Sequence, residues 1–146
     1  MARVVILYSS LSGHTRTAAE HVTAGARLVP QAEAVLMDAA ALDMDALEAA
    51  DGLAIGSPNY FTYCSGLIKH FFDLAFGRSG FKGKPYVSFS THGGGGGISA
   101  TIDSLAQAVG MKQVHAGLDF LESPQGDQPK DLRKLGQALA AKAAAK

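Results

Sequence analysis

Strand-length apolar runs alternate with helix-patterned segments along the whole chain, and few architectures satisfy that rhythm. Residues 4–8, Val-Val-Ile-Leu-Tyr, are apolar or aromatic without a break, as in a strand buried on both faces. Residues 13–28 then read as a helix, 32–38 as a second and weaker strand, and 43–50 as a short helix. A third strand is expected at 52–56, followed by a helix at 65–76 whose apolar side is Gly66, Leu67, Phe71 and Leu74. Residues 86–90 read as a fourth strand, 98–109 as a helix and 114–121 as a last strand. Pro129 opens a final helix, where its missing N–H is harmless in the first turn. Five strands alternating with helices through short loops predict an α/β fold, a doubly wound parallel sheet with helices on both faces. Right-handed crossovers then gather the loops after strands one, three and four at one edge, where such sheets bind their ligands.

Composition narrows the function classes. A chain of 146 residues is expected to form a single domain, residues 1–146. Lys plus Arg equals Asp plus Glu, at 13 each, so neither nucleic acid nor a strongly charged partner is indicated. The apolar runs are too short to cross a membrane, and the N-terminus runs directly into a strand without a secretory pattern. The lone Cys64 excludes an intrachain disulfide and a cysteine-built metal site, and no metal is expected. These features suit the cytoplasm.

The three gathered loops are the least ordinary stretches of the chain. The first, residues 9–15, is Ser-Ser-Leu-Ser-Gly-His-Thr at the start of a helix. Ser12 there reads either as an N-cap or as part of a phosphate cradle with Ser10, Gly13, His14 and Thr15. It has neither the lysine of a triphosphate loop nor a dinucleotide fingerprint, which favours a single monoester phosphate. The second loop offers Ser57, Pro58, Asn59, Tyr60, Phe61, Thr62 and Tyr63, an aromatic cluster suited to stacking on a flat ring. The third offers Thr91 and His92, then Gly93, Gly94, Gly95, Gly96 and Gly97. Five glycines let a planar ring approach bare backbone N–H groups. A phosphate, a stacked ring and a polar edge facing N–H groups together describe FMN.

The motif Ser10-Leu11-Ser12-Gly13-His14-Thr15 resembles the phosphate loop Ser/Thr-x-Ser/Thr-Gly-x-Thr of the flavodoxin-like family. Gly56-Ser57-Pro58-Asn59-Tyr60-Phe61, with Ser65-Gly66 and Lys69, Phe71 and Asp73 downstream, is similar to that family's second loop. The resemblance spans nearly the whole chain and implies an open sheet of order 2-1-3-4-5 with FMN at the switch point. It implies cofactor contacts from Ser10, Leu11, Ser12, Gly13, His14, Thr15, Ser57, Pro58, Asn59, Tyr60, Phe61, Thr91, His92, Gly93, Gly94, Gly95 and Gly96. Acidic electron carriers of the family oppose the negative charge that a flavin gains on reduction, whereas this chain is neutral. That difference favours two-electron chemistry, as in the similar NAD(P)H-dependent FMN reductases and WrbA-type quinone reductases. The expected activity is transfer from NAD(P)H through FMN to a quinone or other small acceptor, with His92 as a candidate donor to substrate oxygen. A one-electron carrier for a protein partner and a flavin-free interaction module are the alternatives, and a homodimer is left open. Cys64 reads as a small half-buried residue, Arg16 either as a counter-charge to the phosphate or as solvated, and His21, His70 and His115 as ordinary structure.

Overall fold

The computed structural model describes residues 1–145 and contains one parallel sheet sandwiched between helices. The elements follow in the order β1 (Ala2–Tyr8), α1 (His14–Ala26), β2 (Ala32–Asp38), α2 (Met44–Ala49), β3 (Gly52–Pro58) and α3 (Gly66–Ala75). They continue with β4 (Pro85–His92), α4 (Ser99–Ala108), β5 (Lys112–Gln113), β6 (Leu118–Leu121) and α5 (Gln128–Ala144). The strand order is 2-1-3-4, with the fifth position shared by β5 and β6, both of which pair with β4.

The single fifth strand expected over 114–121 is therefore two short pieces. Tyr86 faces Gln113 and Phe89 faces Leu118, so Val87 and Ser88 lie opposite the longer stretch 114–117. Two surplus residues must leave the ladder there, as in a bulge. Gly117 closes the gap tightly: a Cβ on it would sit 2.6 Å from Ser88 Oγ and 2.9 Å from Ser99 Oγ.

Side-chain alternation explains the two cores. Val4, Ile6 and Tyr8 of β1 and Val87 and Phe89 of β4 point to the face covered by α1 and α5. Val5 and Leu7, with Leu53 and Ile55 of β3, point to the face covered by α2, α3 and α4. In α5, Leu132, Leu135 and Leu139 recur at helical spacing and are fully buried. Gly25 of α1 and Gly136 of α5 bring these two helices into direct backbone contact. A Cβ on Gly25 would lie 1.9 Å from Arg133 O, and one on Gly136 would lie 1.9 Å from Val22 O. No helix among the described residues is long and apolar enough to cross a membrane.

Candidate functional site

The loop after β1 turns into α1 through Gly13, whose φ of 95° is left-handed and whose side-chain-free N-cap leaves the first turn uncapped. Ser12 is thus not the N-cap. Its Oγ is exposed and lies a long 3.5 Å from the His14 N–H. Ser10 Oγ accepts from the Gly13 N–H at 3.0 Å and shapes the turn. First-turn N–H groups of a helix have no intrahelical partner, so the positive end of α1 opens outward. Thr15 behaves differently from Ser12. It is buried, and its hydroxyl meets that of Thr91 at 2.7 Å, clasping α1 to the end of β4. Arg16 turns back onto Tyr8, donating to its hydroxyl at 3.0 Å with its guanidinium 5.8 Å from the ring centre. Burial raises the Tyr8 phenol, and the charge of Arg16 opposes the rise.

The loop after β3 is a tight hairpin turn. Tyr60 and Tyr63 exchange both backbone hydrogen bonds, at 2.9 and 3.1 Å. Phe61 and Thr62 between them have φ of 57° and 67°, the left-handed pair of a type I′ turn, which ordinarily selects Asn and Gly. Two such non-glycine residues cost roughly 1–3 kcal/mol each. The turn throws Phe61 fully into solvent, at 100% exposure, while Tyr60 stays half-buried. Asn59 ties the loop down. Its N–H donates to Thr91 O at 2.9 Å, its Oδ1 accepts from the Thr62 N–H at 2.8 Å, and its Nδ2 donates to Gly96 O at 2.7 Å. Ser57 is buried and faces inward, accepting from the Ser65 N–H at 2.9 Å and donating to Pro58 O at 2.8 Å. Cys64 is buried too, and burial raises its thiol, which disfavours the reactive thiolate.

The glycine loop after β4 folds back on His92. The N–H groups of Gly94 and Gly96 both donate to His92 Nδ1, at 3.1 and 3.3 Å. A backbone N–H can only donate, so Nδ1 is an acceptor here and the ring proton resides on Nε2. Positive φ at Gly94 and Gly96, 122° and 93°, permits this wrap. A fourth loop, after β6, completes the site. Glu122 has a left-handed φ of 56° and its N–H donates to His92 O at 2.7 Å. Ser123 Oγ lies 2.6 Å from His14 Nδ1.

These loops enclose a cleft of about 280 Å3 lined by Ser12, His14, Pro58, Asn59, Tyr60, Thr91, His92, Gly93 and Glu122. The remaining expected contact residues lie off this wall. Ser57 and Thr15 are turned into the protein; Leu11 and Phe61 face solvent; Gly94 and Gly96 are spent on His92. Ser10 and Gly13 form the turn next to Ser12, and Gly95 lies beside the Asn59 amide, where a Cβ would sit 3.6 Å from Nδ2. Glu122 and Ser123 carry no sequence signal; only the return of β6 beside β4 brings them here. A larger hollow of about 590 Å3 lies between α4 and the broken fifth strand. Its polar groups already satisfy one another: Asp103 accepts from Tyr86 and Ser88 at 3.1 and 2.7 Å, and from the Gln113 amide at 3.3 Å. The cleft at the strand ends is the better candidate, because helix dipole, open hydroxyl and ring-sized walls converge on it.

Known proteins share this architecture. A family model described as NADPH-dependent FMN reductase matches residues 33–121. A flavodoxin from Aquifex aeolicus (strain VF5) is 30% identical to this chain, the alignment covering 96% of this chain and 86% of the relative. Among solved structures, a flavodoxin from the domain Archaea superposes with a TM-score of 0.88 at 22% identity, covering 97% of this chain and 98% of that one. A flavodoxin, WrbA-like protein from Agrobacterium tumefaciens superposes with a TM-score of 0.81 at 25% identity, covering 99% of each chain. With the sheet order and the family match agreeing, the chain belongs to the flavodoxin-like family of FMN-binding proteins.

Proposed function

We propose that the cleft holds FMN with its phosphate at the N-terminus of α1, and that the protein passes electrons from NAD(P)H to a quinone or other small acceptor. The observation that carries the placement is the uncapped first turn of α1 beside the exposed Ser12 hydroxyl. The donor set fits a monoester phosphate: open N–H groups at a positive helix end, hydroxyls on Ser10 and Ser12, and no carboxylate in residues 9–15. Tyr60 would stack on the ring, and the polar edge would face the glycine loop. Since Gly94 and Gly96 donate to His92, the N–H of Gly93, on the cleft wall, is the one left for that edge. FMN itself supplies hydride acceptance at N5 and onward release of the electrons.

His92 is proposed as the proton-bearing group of the site. With Nδ1 occupied by the loop, its Nε2–H is a fixed donor for an oxygen of cofactor or substrate. Of the described residues lining the cleft, Glu122 alone carries a carboxylate, so little fixed negative charge opposes reduction. The test is anaerobic mixing of the FMN-loaded protein with NADH or NADPH. Rapid bleaching of the flavin by either nucleotide supports the oxidoreductase. Stable yellow colour with both, together with reduction by a protein donor, points to the second reading, a one-electron carrier. That reading is favoured by the flavodoxin name of the Aquifex relative and by the exposed Leu11, Phe61 and Leu121 around the cleft.

A further inference from the structure

We propose that Asn59 is a positioning residue whose side-chain amide joins the aromatic turn to the glycine loop, setting two walls of the cleft as one body before any ligand arrives. The effect on cofactor affinity rests on the reading that the cleft holds FMN; the strut is a property of the ligand-free chain. The main chain of Asn59 is pinned first, by its N–H bond to Thr91 O at 2.9 Å. From that fixed point Oδ1 reaches the Thr62 N–H at 2.8 Å and Nδ2 reaches Gly96 O at 2.7 Å. The orientation of the amide is forced, because a peptide N–H only donates and a carbonyl only accepts.

Each partner is a segment that holds its shape poorly alone. Thr62 is β-branched in a left-handed conformation, next to Phe61 in the same state. Gly96 belongs to a run of glycines, which lose the most conformational freedom on ordering. Gly96 is gripped from both sides: its carbonyl by Asn59 and its N–H by His92 Nδ1 at 3.3 Å. Ordering the loop this way moves part of the entropic cost from ligand binding to folding, which is how preorganisation raises affinity. A carboxylate at position 59 would serve the Thr62 N–H and repel Gly96 O, and an alkyl group would serve neither. Only a primary amide matches both partners with side-chain atoms this close to the main chain.

The experiment compares Asn59→Ala and Asn59→Asp with the unsubstituted protein, first without FMN. Amide exchange should speed up at least about tenfold at both Thr62 and residues 94–97 in Asn59→Ala. In Asn59→Asp it should speed up at residues 94–97 while Thr62 stays protected, and this variant keeps one bond should Asn59→Ala fold poorly. Lowering the pH from about 7 toward about 4, where an ordinary aspartate takes up its proton, should bring glycine-loop protection in Asn59→Asp closer to that of the unsubstituted protein at the same pH, while the gap for Asn59→Ala stays. His14, His92 and Glu122, which also line the cleft, are common to both variants, so Asn59→Ala controls for them. FMN affinity should fall about tenfold in Asn59→Ala with little change in thermal midpoint. Exchange at residues 94–97 unchanged in Asn59→Ala would overturn the strut. Faster exchange in a protein whose unsubstituted form binds no FMN would uphold the strut and overturn the cofactor reading instead.

Discussion

Ser12 and Thr15 share one turn yet hold their hydroxyls in opposite surroundings, one exposed at the cleft and one buried against Thr91. Ser12→Ala should therefore weaken FMN binding by about 1.5–3 kcal/mol, as for a hydrogen bond to a charged group. It should leave stability nearly unchanged, because Gly13 rather than Ser12 starts the helix. Thr15→Val should do the reverse, costing about 1–3 kcal/mol of stability by stranding the Thr91 hydroxyl. Denaturant unfolding and flavin titration on both variants check the pair. Tyr86 offers a test in pH. Its phenol is pushed up to about 12 from 10.0, chiefly by burial and further by the nearby Asp103 carboxylate, against the Gln107 amide. The folded state then keeps a proton that the unfolded state releases, so this contribution is intact below pH 10.0 and fades as pH rises through about 12. Unfolding midpoints should fall across that window and fall less in Tyr86→Phe.

Helix α1 against α5 is where a single methyl group matters most at the level of elements. Gly25→Ala and Gly136→Ala each place a Cβ 1.9 Å from a carbonyl oxygen of the other helix, so the pair must part. Each should destabilise by about 1–3 kcal/mol or more, read from chemical denaturation. Most elements were legible from periodicity, and 32–38 was legible to the residue. Strands β3 and β4 run beyond the apolar pattern because Ser57, Pro58, Thr91 and His92 continue the ladder without apolar side chains. The fifth strand read as continuous because a two-residue surplus leaves no mark on hydrophobicity. Three of the four cleft loops stood out by composition. Their clasps did not, since Thr15 with Thr91 and His14 with Ser123 pair residues far apart in the chain, and only the fold brings them together. The left-handed turn at Phe61 and Thr62 was invisible for the opposite reason: local preference argues against it.

For the molecule as a whole, zero formal charge predicts that reduction by a nicotinamide nucleotide changes little with ionic strength, where a strongly acidic carrier would respond steeply. Stopped-flow rates in low and high salt decide this. FMN should also raise the thermal midpoint, by an amount equivalent to about 2.7 kcal/mol at a hundredfold excess over its dissociation constant. FAD should raise it less, because the cradle proposed at the first loop suits one phosphate. The broken fifth strand has a bearing on engineering. His115 and Ala116 are exposed at the crest of the surplus, and the chain regains its pairing with β4 on either side. A peptide tag or a small reporter domain spliced between them would leave the sheet at a point where the chain has already left it, and lengthening such a loop costs only slowly growing closure entropy. The graft would sit on the α4 flank, remote from the Ser12 hydroxyl, so a fused chain should keep its flavin affinity while gaining a handle at the sheet edge.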